Sequence, residues 1–191
     1  MGKFEFKELA FDGAYLISSF TAGDSRGEFT KYFEKDIYEA AGISFKLNET
    51  FVSTSARNVI RGLHFQLHHP QAKLVCVLKG RVWDVIVDLR TGYPTYKKWV
   101  GVELDARNHT ALYIPRGFAH GFLTLTDNVN FVYKCDNYYD AEADGGISFK
   151  TPELSIDWPI EFDKAITSEK DAAQPTLAEF EKDNPFVYGE I

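Results

Sequence analysis

The sequence has 191 residues, of which 45% are hydrophobic, 15% are aromatic and 26% are charged, and its formal net charge is −7. The length and composition predict a single globular domain over residues 1–191 and exclude a disordered chain. The negative charge argues against a nucleic-acid-binding protein, because such proteins need an excess of Lys and Arg to contact phosphates. The sequence contains neither a secretory signal nor an apolar run long enough to span a bilayer, so we expect a cytoplasmic protein with no membrane partner.

The first element that the sequence predicts is a helix in EKDIYEAAG, which ends at Gly42. From Val52 to Cys135, short β-branched and aromatic runs alternate with turn residues, which indicates a series of strands. These runs are VIRGLHFQ, AKLVCVL, RVWDVIVDL, KWVGVEL, TALYIP, GFLTLT and VNFVYKC. A second helix is predicted in PTLAEFEK, within an acidic, irregular segment after Trp158 that we expect to cover the domain.

Strands that follow one another without intervening helices predict an antiparallel sandwich or barrel. The run LVCVL is apolar on both faces, so it is covered on both sides, either by a subunit interface or by an apolar barrel interior. Cys76 and Cys135 lie far apart in apolar runs, which predicts buried free thiols rather than a disulfide or a zinc site.

Arg61 and His64 lie three positions apart in the strand-like run IRGLHFQ. Strict alternation would place their side chains on opposite faces of the sheet. A glycine inside a strand often marks a β-bulge, which resets the alternation, and Gly62 lies between the two residues. The sequence therefore predicts a bulge near Gly62, with Arg61 and His64 facing one cavity.

The histidines do not have the spacing of a metal site. Gln66 occupies the position two residues after His64, where an H-x-H pair would have its second ligand. His68 and His69 precede Pro70 in a predicted loop. The sequence also lacks a G-x-S-x-G elbow, a P-loop and a G-x-G-x-x-G motif. Of the mechanisms considered, there remains acid–base chemistry by His, Tyr, Lys and carboxylate side chains in a cavity. We therefore expect no metal and no cofactor.

The motifs RGLHFQ, HPQAKLVCVLKGRVWDVIVDLR, KWVGVEL, LYIPRGFAHGF, FVYKCDNYY and IDWP occur in this order. Together they resemble the dTDP-4-dehydrorhamnose 3,5-epimerase family, from about Gly13 through SEKDAAQPTL. The resemblance implies an all-β, cupin-type antiparallel jelly-roll barrel with a few short peripheral helices. It also implies a homodimer that exchanges its N-terminal strands, and a nucleotide-diphosphate-sugar substrate that carries a 4-keto-6-deoxy hexose.

The resemblance also implies roles for individual residues. By motif, His64 is the general base and Tyr133 is the general acid on the opposite face of the sugar ring. Lys73 faces the C4 carbonyl oxygen. Asp171, in SEKD, hydrogen-bonds and orients His64, with Asp84 as the alternative partner. This assignment agrees with the chemistry, since inversion needs a base and an acid on opposite faces and the enolate needs a cation or a donor.

Substrate binding is assigned in the same way, with Arg26 on the diphosphate and Tyr138 stacked on the base. The full set of expected substrate-binding residues is Arg26, Lys31, Glu49, Arg61, His120, Tyr138, Asp144 and Lys170. Typical members carry Glu in place of Lys31, Gln-Asp-Asn in place of Glu49-Thr50-Phe51, and Glu-Arg in place of Asp144-Gly145. Because of these departures, the sequence does not determine which nucleotide and which sugar the substrate contains.

Several functions remain open on the sequence alone. The leading hypothesis is an epimerase that inverts C3, or C3 and C5, of the nucleotide-linked sugar in deoxysugar biosynthesis. The alternatives are a nucleotide-sugar ketoisomerase, a non-catalytic cupin that binds a sugar nucleotide, and a metal-dependent cupin oxygenase.

Overall fold

The computed structural model describes residues 3–191 of the chain, and strands dominate its regular structure. The strands are β1 (Glu5–Glu8), β2 (Tyr15–Ser18), β3 (Phe20–Asp24), β4 (Gly27–Lys31), β5 (Glu49–Ser55), β6 (Ile60–Gln66), β7 (Lys73–Lys79), β8 (Arg81–Asp88), β9 (Trp99–Asp105), β10 (Thr110–Ile114), β11 (Phe118–Thr124), β12 (Val129–Cys135) and β13 (Asp144–Gly146). The helices are α1 (Lys35–Ala40), α2 (Glu169–Ala172) and α3 (Leu177–Phe180), with 3₁₀ turns at Ala106–Asn108, Phe162–Lys164 and Glu181–Asp183.

The strands form two large antiparallel sheets and one two-stranded ribbon. One sheet has the order β1-β2-β10-β7-β12-β5, the other has the order β13-β6-β11-β8-β9, and β3 pairs with β4 in the ribbon. All pairings between these strands are antiparallel. The predicted all-β, cupin-type barrel with short peripheral helices is therefore confirmed.

Strand β7 shows how the apolar interior forms. Val75 and Val77 are fully buried in the cluster that both sheets share, whereas Leu74 and Cys76 face a second cluster that includes Tyr38 of α1. Leu74 to Val77 of the run LVCVL are thus covered on both faces, as predicted, and the chain's own N-terminal part covers the outer face, whereas Leu78 at the end of the run is exposed. Fully burying each such aliphatic side chain contributes about 1.5–3 kcal/mol.

The segment after Trp158 packs on the outer face of the five-stranded sheet. Phe65 of β6 lies 4.7 Å from Phe180 and 5.4 Å from Phe186, measured between ring centroids. Leu177 is buried in the same cluster. This packing holds α2 against β6, and it places Asp171 of the C-terminal segment beside His64.

Local sequence signals account for most elements. The predicted strands between Ile60 and Cys135 are confirmed, and α1 ends just before Gly42, which has φ +82°. The second predicted helix is α3, whose Thr176 and Glu179 form a capping box. The strand pattern does not predict β1 to β5 or β13, because β1 to β4 and β13 are short and β5 contains only two apolar residues, which are adjacent.

The predicted bulge near Gly62 is also confirmed. In the pairing of β6 with β11, His64 is opposite His120 but Arg61 is opposite Phe122, so the register shifts between them. Gly62 has φ +107°, and a Cβ there would lie 2.6 Å from the His120 carbonyl oxygen. Only glycine fits this conformation without strain. The Gly62–Leu63 peptide bond is cis.

Candidate active site

A cavity of about 470 Å³ opens between the two large sheets. Six of the predicted site residues line it, and they are Glu49, Arg61, His64, Lys73, Tyr133 and Asp144. Arg61 and His64 face the same cavity, as the bulge predicted. Six other lining residues are outside the predicted set, although Phe51 stands at one of the Gln-Asp-Asn positions, and they are Phe51, Ser53, Phe65, Gln66, Gln71 and Tyr139. The alternation of Glu49, Phe51 and Ser53 along β5 is the signal that could have found two of them.

His64 and Asp171 form a hydrogen-bonded pair at one wall. His64 Nε2 lies 2.6 Å from Asp171 Oδ1, and the two side chains are 32% and 6% exposed. Ser168 caps α2 by accepting the Asp171 N–H at 3.0 Å, which fixes the helix that carries the carboxylate. This carboxylate holds the proton on Nε2, so the lone pair of Nδ1 is available as a base.

Opposing effects set the acidity of Asp171. Burial raises the pKa of the carboxyl, but the hydrogen bond and charge of His64, with the Gly62 N–H at 3.4 Å, lower it by more. The net pKa of Asp171 is therefore below its ordinary value. The carboxylate stays ionised and can stabilise a positive charge on His64.

Tyr133 and Lys73 lie on β12 and β7, neighbouring strands of the six-stranded sheet, whereas His64 is on the five-stranded sheet. His64 and Tyr133 thus approach the cavity from opposite sheets. Burial raises the pKa of the Tyr133 phenol, so the phenol keeps its proton. Burial lowers the pKa of the Lys73 ammonium, although nearby acidic groups oppose that effect. The cavity therefore combines a base, a protonated phenol and a poorly hydrated cation.

A second histidine–carboxylate pair lies beneath the cavity. His120 Nε2 is 3.0 Å from both carboxylate oxygens of Asp84, and the two side chains are 3% and 0% exposed. Burial raises the pKa of Asp84, and His120 and Lys73 partly offset that effect. Asp84 therefore pairs with His120, and the alternative in which it orients His64 is wrong. His120 does not line the cavity of this chain.

The rim of the cavity carries a second polar cluster. Asp144 of β13 forms an ion pair with Lys170, and its Oδ2 accepts a hydrogen bond from the Tyr139 hydroxyl at 2.8 Å. Lys170 precedes Asp171 in α2, so the rim and the histidine partner belong to one short helix. Arg61 donates from Nε to Ser55 Oγ at 3.1 Å.

Five of the expected binding residues do not line the cavity of this chain: His120 lies beneath it, Lys170 lies at its rim, and the other three are Arg26, Lys31 and Tyr138. Arg26 and Lys31 are on the β3–β4 ribbon, where Arg26 pairs with Asp24 and Lys31 pairs with Glu34. Tyr138 is 69% exposed and does not line the cavity. The neighbouring Tyr139 does, because the chain leaves regular β pairing at Cys135 and the alternation no longer applies.

The polar side chains and the helices of the described part of the chain indicate neither a metal centre nor a membrane span. Within residues 3–191, no three His, Cys, Asp or Glu side chains are grouped as metal ligands would be. His68 and His69 are exposed in the loop after β6. Helices among these residues are too short or too polar to cross a membrane. Cys76 and Cys135 are free and buried, as predicted.

Comparison with known proteins extends over most of the chain. The family model described as dTDP-4-dehydrorhamnose 3,5-epimerase matches residues 8–179. A dTDP-4-dehydrorhamnose 3,5-epimerase of Methanothermobacter thermautotrophicus is 43% identical over 180 residues, which cover 94% of this chain and 97% of that protein. A solved dTDP-6-deoxy-D-glucose-3,5-epimerase from Legionella pneumophila, in complex with dTDP-4-keto-L-rhamnose, has a TM-score of 0.89 at 40% identity, covering 92% of this chain and 94% of that one. A 3'-monoepimerase from Streptomyces bikiniensis, in complex with dTDP-quinovose, has a TM-score of 0.84 at 34% identity, covering 91% and 88%.

Proposed function

Since the chain belongs to the dTDP-4-dehydrorhamnose 3,5-epimerase family, we propose that His64 and Tyr133 carry out its epimerisation by proton transfer across the cavity. The chain is an isomerase that epimerises a dTDP-linked 4-keto-6-deoxy sugar in deoxysugar biosynthesis. The observation that supports our assignment is the placement of the residues: His64 on one sheet bonds Asp171 of α2, and Tyr133 and Lys73 lie on the other sheet.

The chemistry of the substrate defines what each residue does. The C4 ketone acidifies the protons on C3 and C5, and His64 Nδ1 removes the C3 proton to leave an enolate. The ammonium of Lys73 stabilises the negative charge on the C4 oxygen. Tyr133 donates its proton to C3 from the opposite face, which inverts that carbon. His64 then loses its extra proton to water and the Tyr133 phenolate regains one, so the cycle is balanced.

Asp171 stabilises the charged intermediate of this cycle. When His64 becomes an imidazolium, its Nε2–H remains bonded to a buried carboxylate. A charge-assisted hydrogen bond of this kind contributes about 1.5–3 kcal/mol. The same reaction inverts C5 when the sugar ring is turned so that C5, rather than C3, lies between His64 and Tyr133.

Substrate binding follows from the charges around the cavity. We assign the diphosphate to the guanidinium of Arg61 and the ammonium of Lys170, because both are cations at the cavity edge. His120, beneath the wall, is a further proposed polar contact. We assign the nucleoside end to Glu49 and Asp144, together with Tyr138 as a proposed stacking surface.

We also propose that the protein acts as a homodimer in which the N-terminal strands of one subunit reach the other. Arg26 and Lys31 then contribute to the partner's cavity rather than to their own. The supporting observation is the β3–β4 ribbon, whose Arg26 side chain is 88% exposed and whose Phe29 is 59% exposed. Mixing Arg26→Ala with His64→Ala subunits tests this proposal, since a mixed dimer has one cavity with both residues. We expect the mixture to recover activity. A mixture that stays inactive would contradict the exchange of N-terminal strands between subunits.

Proton exchange tests the acid–base assignment directly. The purified protein is incubated in D2O with dTDP-4-dehydro-6-deoxyglucose, and deuterium at C3 and C5 and the epimerised products are followed by NMR. The His64→Ala variant should lose exchange by about 10²- to 10⁴-fold, whereas Tyr133→Phe should keep exchange but lose inversion. Folded wild-type protein that binds dTDP and exchanges neither proton would exclude the proposed mechanism. A ketoisomerase would instead yield a product with the carbonyl at a different carbon.

A further inference from the structure

Phe51 lies flat against the ring of Tyr133. The two residues are directly opposite one another in the β5–β12 pairing. Their ring centroids are 4.6 Å apart and their planes differ by 19°, which is a stacked arrangement. Phe51 lines the cavity and remains 44% exposed. Phe51 is thus an apolar ring that packs on a predicted catalytic residue and is at the same time open to the cavity.

The other aromatic neighbours of Tyr133 are buried parts of the core. Phe131 packs against the phenol ring at 4.8 Å with an interplanar angle of 60°, and His120 lies 6.2 Å away at 74°. Phe131 is fully buried and His120 is held by its carboxylate partner. Phe51 is thus the exposed member of the group around the phenol, and the one whose loss opens a face of that ring to water.

We propose that Phe51 is a positioning residue for Tyr133. Its ring fixes the plane of the phenol at the angle from which the proton reaches the sugar, and it keeps water off that face. The inference rests on the proposed role of Tyr133 as the acid. Stacked aromatic pairs contribute through their defined geometry as well as through their area, and proton transfer is sensitive to small errors in alignment.

The two proton transfers separate this role from a simple contact with the substrate. Removal of the proton by His64, followed by its return from the same residue, exchanges hydrogen with solvent without inverting the carbon. Inversion also needs Tyr133. If Phe51 acts through Tyr133, its loss slows inversion while exchange continues. If Phe51 only touches the substrate, both rates fall together or KM rises.

The variants are Phe51→Ala, Phe51→Tyr and, as a matched control, Val52→Ala. Val52 is the next residue on β5, is 56% exposed and does not line the cavity. The rates of C3 deuterium incorporation and of epimer formation are measured by NMR in the same D2O samples, with saturating and limiting substrate. Circular dichroism melting curves verify that each variant is folded.

Phe51→Ala should lower kcat for inversion by about tenfold or more, with exchange and KM within about threefold of wild type, so the ratio of exchange to inversion rises. Phe51→Tyr keeps a flat ring and should restore the wild-type ratio, and Val52→Ala should match wild type. An unchanged ratio in Phe51→Ala, or a change confined to KM, would overturn the inference and leave the proposed function intact. Failure of the wild-type protein to exchange or invert would overturn both.

Discussion

Replacing Asp171 by Asn removes the negative charge that lies 2.6 Å from His64 Nε2 and keeps the size of the side chain. Asp171 is 6% exposed, so solvent and salt screen its charge little. A hydrogen bond to a charged group contributes about 1.5–3 kcal/mol, and each ~1.4 kcal/mol changes a rate about tenfold. We therefore expect kcat to fall by about 10- to 100-fold. An Asn amide that donates to Nε2 moves the ring proton to Nδ1, which adds to the loss by removing the basic lone pair.

The assay is steady-state epimerisation of dTDP-4-dehydro-6-deoxyglucose, followed by NMR. KM should change by less than about threefold, because Asp171 acts on the transition state rather than on substrate binding. Glu169→Gln is the matched control, since it removes one negative charge from an exposed position of the same helix. It should behave as wild type. A folded Asp171→Asn variant with wild-type kcat would refute the idea that the carboxylate stabilises the charged form of His64.

Two further predictions concern stability. Gly62→Ala should lower the free energy of unfolding in urea by more than about 1–3 kcal/mol, because its Cβ would lie 2.6 Å from the His120 carbonyl oxygen and 2.7 Å from Gly121 Cα. Gly92→Ala has a similar φ of +86° with no atom within 4 Å, so an equal loss in both variants would contradict the close-contact explanation. The folded pKa of Asp171 is lowered, so its carboxylate stabilises the fold above the unfolded pKa of about 3.9 and loses that contribution as pH falls through the folded pKa. The difference in unfolding free energy between wild type and Asp171→Asn should therefore become smaller below about pH 4. A difference that does not depend on pH would contradict a stabilising role for the ionised carboxylate.

The parts of the fold that the sequence predicts are those that local chemistry determines. The strands from β6 to β12 are separated by turn residues and follow a period of two or a continuous apolar run. Gly62 predicts the bulge because a glycine in the interior of a strand often marks a bulge. The shared orientation of Arg61 and His64 follows from that bulge alone.

The features that the sequence does not predict depend on contacts between distant segments. Asp84 lies in a predicted strand and Asp171 lies in the predicted C-terminal covering segment, and only the packed chain shows that Asp84 pairs with His120 and Asp171 with His64. The choice between Tyr138 and Tyr139 depends on how the loop after β12 turns. Phe51 stands where typical members carry the Asn of Gln-Asp-Asn, but its position beside Tyr133 arises from the pairing of β5 with β12.

The hydrogen bond between His64 and Asp171 joins residues 107 positions apart in the chain. All the strands of the barrel precede Asp171, so during synthesis the two sheets can assemble before the ribosome has released the segment that carries it. A nascent chain, or one clipped between the barrel and α2, has a cavity whose base lacks its partner. We therefore expect such a chain to turn over at least about 10- to 100-fold more slowly than the complete one, so that full activity requires the C-terminal segment to dock.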